Sequence, residues 1–320
     1  DDTVVVTNSL IALAEQPALL AEAANVRALR EQSVAAGQLP DPQLLGGITQ
    51  MPVNGGEAFS LRDDDFTALS VGIAQEFPRA AKRELRAAAL EQQSAGAQLA
   101  LTDLEQRVRL EAGRAYIEVV AAVHGAQILE QLSAEAVRQR DVAGIDLVAG
   151  RGAQPEQLTA EVEAALVADR DRALRQREQA GRAGLARWIG AAADRSVEGQ
   201  FPVLPDPPAL GQLLDELPGH PSLAAPATSA VLAATELRLA TAELKPDWRM
   251  EVRYDHRLEF PDLVTLMVGV DLPLFAGNRQ DRSSAAALER LSAASAQRDD
   301  RLREATATVT AAYREWQAGT

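Results

Sequence analysis

Any chemistry in this chain must come from three histidines, its carboxylates and its arginines, because none of its 320 residues is cysteine. That excludes disulfides, thiolate metal sites and a thiol nucleophile. His124, His220 and His256 stand too far apart in sequence to form a local metal motif. His124 falls inside a long helical pattern, where a packed or solvated histidine is expected. His220 precedes Pro221 at a helix start and reads as structural, and His256 lies on an apolar strand face. The methionines are dispersed and read as gap fillers rather than copper ligands. No glycine-rich dinucleotide fingerprint, phosphate-binding loop or His-Glu-x-x-His helix is present. The sequence predicts no enzyme, no cofactor and no metal site.

The dense array of ionisable groups lies in "WRMEVRYDHRLEF", Trp248 to Phe260. In a strand, successive side chains point to opposite faces. Arg249, Glu251, Arg253, Asp255, Arg257 and Glu259 then share one face. Trp248, Met250, Val252, Tyr254, His256, Leu258 and Phe260 share the other. The charged face could line a wet pore and screen ions, or be the solvated side of a sheet. Asp63, Asp64 and Asp65 sit in a loop, either solvated or a cation-attracting vestibule. The net charge of −14 argues against a nucleic-acid partner. No apolar run approaches the ~20 residues of a membrane-spanning helix. "DDTVVVTNSL" does not read as a signal peptide, so any targeting segment is expected outside this chain.

The elements that carry this strand follow a plan that recurs. "LAEQPALLAEAANVRALREQSVAAGQLPD" ends at Pro40-Asp41, and "LPGHPSLAAPATSAVLAATELRLATAELKPD" ends at Pro246-Asp247. After each Pro-Asp come two strand-like runs and a long helix. "VGIAQEFPRAAKRELRAAALE" at Val71 matches "VGVDLPLFAGNRQDRSSAAALE" at Val268, which points to duplication. The expected repeats are residues 1–200 and 201–320, with strands within about 42–77 and 247–274. In the first copy Thr67, Leu69, Val71, Ile73, Gln75 and Phe77 share one face, opposite Ala68, Ser70, Gly72, Ala74 and Glu76. In the second, Val264, Leu266, Val268, Val270 and Leu272 oppose Leu263, Thr265, Met267, Gly269 and Asp271. A run without proline from about Lys82 to Leu147 predicts a long helix, with a seam through Ala97, Leu101, Leu104, Val108, Ala112, Ala115 and Val119. Gly144, Gly150 and Gly152 precede Pro155, where a return helix to about Ile189 closes a hairpin. "DRSVEGQFPVLPDPPALG" reads as a linker. "AAYREWQAGT" is expected to leave the second hairpin unfinished.

A strand with one apolar and one charged face suits a membrane barrel, but four strands cannot close one. Open edges in hydrocarbon leave backbone groups unsatisfied, so the strands must be shared between copies. Three copies supply twelve. In "LPDPQL", "GIAQEFPRAAKRELR", "AGRGAQPEQLTAEVE" and "GVDLPLFAGNRQ" the sequence resembles the TolC-like outer-membrane efflux proteins over nearly its whole length. The resemblance implies a mainly α fold with a trimeric twelve-stranded β-barrel and an α-helical tunnel. It implies a passive exit duct in the outer membrane of a Gram-negative bacterium, its helices in the periplasm. The partners implied are a homotrimer, a periplasmic adaptor, an inner-membrane pump and lipid. "QEFPRAAKR" is most similar to the branch serving heavy-metal pumps of the resistance–nodulation–division type. The resemblance also places Gly150, Arg151, Gly152, Gln154 and Pro155 at an adaptor-docking tip, with Arg151 available to bond helix-end carbonyls. An ordinary turn without a partner remains the alternative there. A drug-efflux or type I secretion duct shares this fold. A soluble structural or adaptor coiled coil, its strands forming a small sandwich, is the reading from another class.

Overall fold

A computed structural model describes residues 16–195 and 205–319. "DDTVVVTNSL" and the middle of the proposed linker lie outside the described residues. Two compact units form, one from Leu101–Pro208 with the chain up to Glu22, the other from Ala23–Ala100 and Ala209–Thr320. This spatial division differs in kind from a sequence repeat and does not follow the 1–200 and 201–320 boundaries.

The second unit holds the sheet. Helix α1 (Pro17–Gly37) leads into strands β1 (Gln43–Thr49) and β2 (Ala68–Phe77), and helix α2 (Ala80–Val148) follows. After helix α3 (Gln154–Ile189), a short helix α4 (Leu210–Glu216) precedes α5 (Pro221–Ala242), strands β3 (Trp248–His256) and β4 (Leu263–Val270), and helix α6 (Gln280–Gly319). The four strands form one antiparallel sheet in the order β1-β2-β3-β4. Strand β3 is shorter than its alternation predicts. Arg257 leaves the sheet because its amide donates to the Asp262 carboxylate at 3.2 Å and its side chain to the Pro261 and Asp65 carbonyls. Arg257 and Glu259 therefore lie beyond the strand, and the expected run of alternating charges closes at Asp255. Strand β4 stops before Pro273, whose missing N–H cannot extend a ladder. Thr67 lies just outside β2, buried with its hydroxyl donating to Asp64 at 2.8 Å.

In the other unit, the later part of α2 and the whole of α3 run antiparallel. Helix α2 is 69 residues of mostly strong helix formers with no internal proline. Of the expected seam, Val108, Ala112 and Val119 are buried, and Trp188 of α3 packs against Val108 and Ala112. Val119 and Val120 are fully enclosed. Glycines permit this approach: a Cβ on Gly181 would sit 2.9 Å from Val119 Cγ2, and one on Gly125 would sit 3.0 Å from Leu174 Cδ1. Gly181→Val is expected to destabilise the hairpin by about 1–3 kcal/mol through overpacking. Gly184→Ala, which meets nothing within 4 Å, should gain about 0.5–1 kcal/mol from helix propensity. Thermal unfolding followed by circular dichroism compares the two; equal melting points would contradict the tight contact.

Candidate functional site

The sheet has two faces of opposite character, and their exposure is the reverse of a soluble sheet. Register places Leu44, Ile73, Val252 and Leu266 in one row across the four strands. Val71, Tyr254 and Val264 form the next row, beside Gly46. These side chains are open: Val252 is 43% exposed, Tyr254 44% and Val264 72%. No described element covers this face. At one end Phe77 stacks on its cross-strand partner Trp248, ring centroids 4.2 Å apart. At the other, Tyr254 donates to Asp262, which also meets His256 Nδ1 at 2.8 Å. His256 therefore has a carboxylate partner on the rim of the apolar face.

The opposite face carries the charges and is the more enclosed. Asp255 is only 5% exposed, because a ladder of polar groups crosses all four strands at its level. Thr49 of β1 meets Ser70 of β2 at 2.8 Å, Ser70 donates to Asp255 of β3, and Thr265 of β4 donates to Asp255 at 3.0 Å. Arg253 bridges Asp255 at 3.2 Å and Glu251 at 3.5 Å. A buried carboxylate needs this many donors to offset desolvation. Glycine makes room for the arginines: Gly72 lies opposite Arg253, and a Cβ there would come within 2.9 Å of the Val252 carbonyl oxygen. A Cβ on Gly269 would sit 2.8 Å from Arg249 Nε. Arg249 also stands directly opposite Glu76. Thus Arg249, Glu251, Arg253 and Asp255 do share one face, while Arg257 and Glu259 do not belong to it. The ladder and the glycine slots were missed in the sequence. The paired Val-Gly dipeptides at Val71 and Val268 were the available signal for the slots.

Where the sheet meets the helices, Lys82 is buried, its side chain 3% exposed. Its ammonium bonds Asp247 at 2.8 Å and Glu243 at 3.1 Å, and Arg86 pairs with Glu243 at 3.0 Å. The Arg79 amide donates to Asp247 at 2.9 Å, and its side chain to the Pro246 carbonyl at 2.8 Å. Burial pushes the Asp247 carboxyl up, but the Lys82 and Arg79 hydrogen bonds and the charges of Lys82 and Arg86 outweigh it, holding the carboxyl below its ordinary value. This cluster ties the Pro246-Asp247 step to the start of α2. Single-residue reading of the sequence had no means of finding it, since its members lie far apart along the chain.

The hairpin turn between α2 and α3 contains Gly150, Arg151, Gly152, Gln154 and Pro155. Gly150 has φ +73°, the left-handed conformation that favours glycine. The amides of Arg151 and Gly152 both donate to the Asp146 carbonyl, at 2.9 and 3.0 Å. The Arg151 side chain does not bond helix-end carbonyls as expected. The backbone amides already satisfy them, and its guanidinium pairs with the Asp146 carboxylate at 3.0 Å. Gln154 opens α3, Pro155 occupies its first turn, and the Ala153 amide donates to Glu156 at 3.2 Å. Two open hollows flank the turn. One, of about 510 Å³, is lined by Arg138, Asp146, Arg151 and Glu156, and the other, about 560 Å³, by Ile145, Val148, Gln157 and Glu161. His220 caps α5, accepting from the Ser222 amide at 3.3 Å.

No family model and no curated relative matches the chain. Solved structures do match. A membrane protein from Pseudomonas aeruginosa superposes with a TM-score of 0.81 at 17% identity, over 98% of this chain and 78% of that one. The outer membrane protein VceC of Vibrio cholerae gives 0.77 at 18% identity, over 99% and 79%. CusC, solved in work on folding and transmembrane channel formation, gives 0.78 at 14% identity, over 98% and 76%. At these identities the likeness speaks for the fold, and the chain has the fold of outer-membrane and channel-forming proteins of known structure.

Proposed function

We propose that this chain is a TolC-like subunit of an outer-membrane efflux channel, a passive duct without catalysis. The observation that carries the reading is the inverted sheet: among the described residues, an uncovered apolar face, a charged face closed by its own hydrogen bonds, and two unpaired edges. The nine residues of β3 fall within the about 9–11 that a tilted membrane strand needs. At about 3.3 Å each and a tilt of ~40° they rise roughly 23 Å, close to the ~25 Å apolar band of such barrels. Aromatic side chains near both ends suit the two membrane interfaces. Three copies, each contributing a duplicated helix–strand–strand–hairpin plan, would close twelve strands, with the hairpins forming an α-helical tunnel in the periplasm. Arg249, Glu251, Arg253 and Asp255 would then face the lumen. Extraction from the outer-membrane fraction should need detergent, yield a trimer by light scattering and conduct ions in a planar bilayer. A monomer that stays soluble without detergent would overturn the reading in favour of a soluble coiled-coil protein.

The adaptor partner would dock at Gly150 to Pro155, where the two hollows offer a charged and a more apolar recess. Arg151→Glu places like charges beside Asp146, a local cost of about 0.2–1 kcal/mol at this exposed pair. Trimers should persist and adaptor capture should fall several-fold; unchanged capture would remove the tip from the docking site. The cargo proposed is heavy-metal cations driven by an inner-membrane resistance–nodulation–division pump, on the resemblance of "QEFPRAAKR". The side chains of this segment also have structural work: Phe77 stacks on Trp248, Arg79 and Lys82 hold Pro246-Asp247, and Arg83 donates to the Gly37 carbonyl. Cargo is therefore tested by itself. Loss of the duct should lower metal tolerance, and a loss of drug tolerance alone would reassign the pump.

A further inference from the structure

We infer that the two free edges of the sheet meet between copies of this chain in one specific register, with Val268 of β4 directly opposite Ile48 of a neighbour's β1. The inference rests on the channel reading and deepens it. Its template is the β2–β3 pairing inside one chain, where the second strand of one copy of the plan meets the first strand of the other. No tight turn joins β2 to β3, so side chains rather than loop geometry set that register. There Val71 opposes Tyr254, and Gly72 opposes Arg253. Val268-Gly269 is the counterpart of Val71-Gly72. Ile48 follows Asp41 at the same separation as Tyr254 follows Asp247. Carrying the pairing across gives Val268 opposite Ile48, Val270 opposite Gly46 and Leu272 opposite Leu44.

Two features of the edges fit this register. It sets apolar on apolar: Val268 and Ile48 are 63% and 48% exposed in one chain and would cover each other. It also sets Gly269 opposite Gly47 on the charged face. Arg249 already lies across Gly269, and a Cβ on Gly47 would meet nothing within 4 Å, so the lane beside the guanidinium stays clear. The hairpins cannot serve as templates, because they differ by two residues. Thr49 pairs with Ala68, whereas its counterpart Asp255 pairs with Leu263 rather than with Thr265, the counterpart of Ala68. Loops of unequal length account for this, and it makes a two-residue slip the alternative to test.

The absence of cysteine makes disulfide mapping clean. Ile48 and Val268 occupy opposite edges of one sheet, three strand spacings of about 4.8 Å apart, so a bond between them must join two copies. The full chain is expressed with Val268→Cys paired with Ile48→Cys, Gly46→Cys or Gln50→Cys, oxidised in membranes and run on non-reducing gels. Leu272→Cys with Leu44→Cys serves as a second pair. The expected result is a covalent trimer from Val268 with Ile48 and from Leu272 with Leu44, at least ten-fold above the other pairings. Dominant bonding to Gly46 or Gln50 overturns the register. Native trimers with no bond in any pairing overturn the contact between these edges. A wild-type chain that is monomeric in membranes instead removes the channel reading itself, and the inference with it.

Discussion

Val252→Arg is expected to cost membrane assembly about 2–4 kcal/mol, the range for arginine facing lipid near mid-bilayer. Arg253→Gln, one residue on, should cost only about 1 kcal/mol. The difference follows from the sheet. Val252 projects from the uncovered face between Ile73 and Leu266, where an arginine has no carboxylate within its row. Arg253 lies on the charged face, and when it is shortened Asp255 keeps the Ser70 and Thr265 hydroxyls. Trimer yield in the outer-membrane fraction and refolding into lipid vesicles measure both variants. If Arg253→Gln proves the more damaging, lipid and lumen faces must be exchanged.

Removing the anions around Lys82 is expected to destabilise the sheet end more than removing Lys82 itself. The double variant Glu243→Ala with Asp247→Ala leaves a buried ammonium without a partner, at a cost of about 3–5 kcal/mol. Lys82→Met instead leaves two carboxylates whose side chains are 39% and 25% exposed and can hydrate, costing about 1 kcal/mol. Denaturant unfolding of the detergent-solubilised protein ranks the variants, and the reverse order would show that the carboxylates rather than the ammonium depend on the cluster. The sign of the pH dependence follows from the lowered Asp247 carboxyl. A depressed folded value makes its contribution complete above the unfolded value near 3.9 and lost as pH falls through the folded one. Wild type and Asp247→Asn should therefore differ across neutral pH and converge only in strong acid. A gap that closes already near neutrality would assign the titration to another group.

Much of this molecule is legible in residue order alone, wherever a period decides the outcome. The alternation from Trp248 to Asp255 determined which side chains share a face, because strand geometry has a period of two whatever the strand pairs with. The proline-free run between Ala80 and Val148 determined a single helix, and Gly150 with Pro155 determined where the chain reverses. Counting four strands against the number that closes a barrel supplied the expectation of a barrel shared between copies, and resemblance then supplied the kind of channel. Residue order was blind to contacts between distant segments. It extended β3 through Arg257 and Glu259: Pro261 and Asp262 lie only four and five residues on, but the Asp65 carbonyl that also holds Arg257 comes from the far side of the sequence. It left the helix-end carbonyls available to Arg151, although backbone amides take the Asp146 carbonyl and the guanidinium pairs with the Asp146 carboxylate instead. Only the tertiary structure decided that Asp255 is enclosed by hydroxyls from the two neighbouring strands, that Lys82 closes on Asp247, and that the apolar face is the one left open. Those outcomes depend on register and on which face the rest of the chain covers, and both are set by pairings across more than a hundred residues.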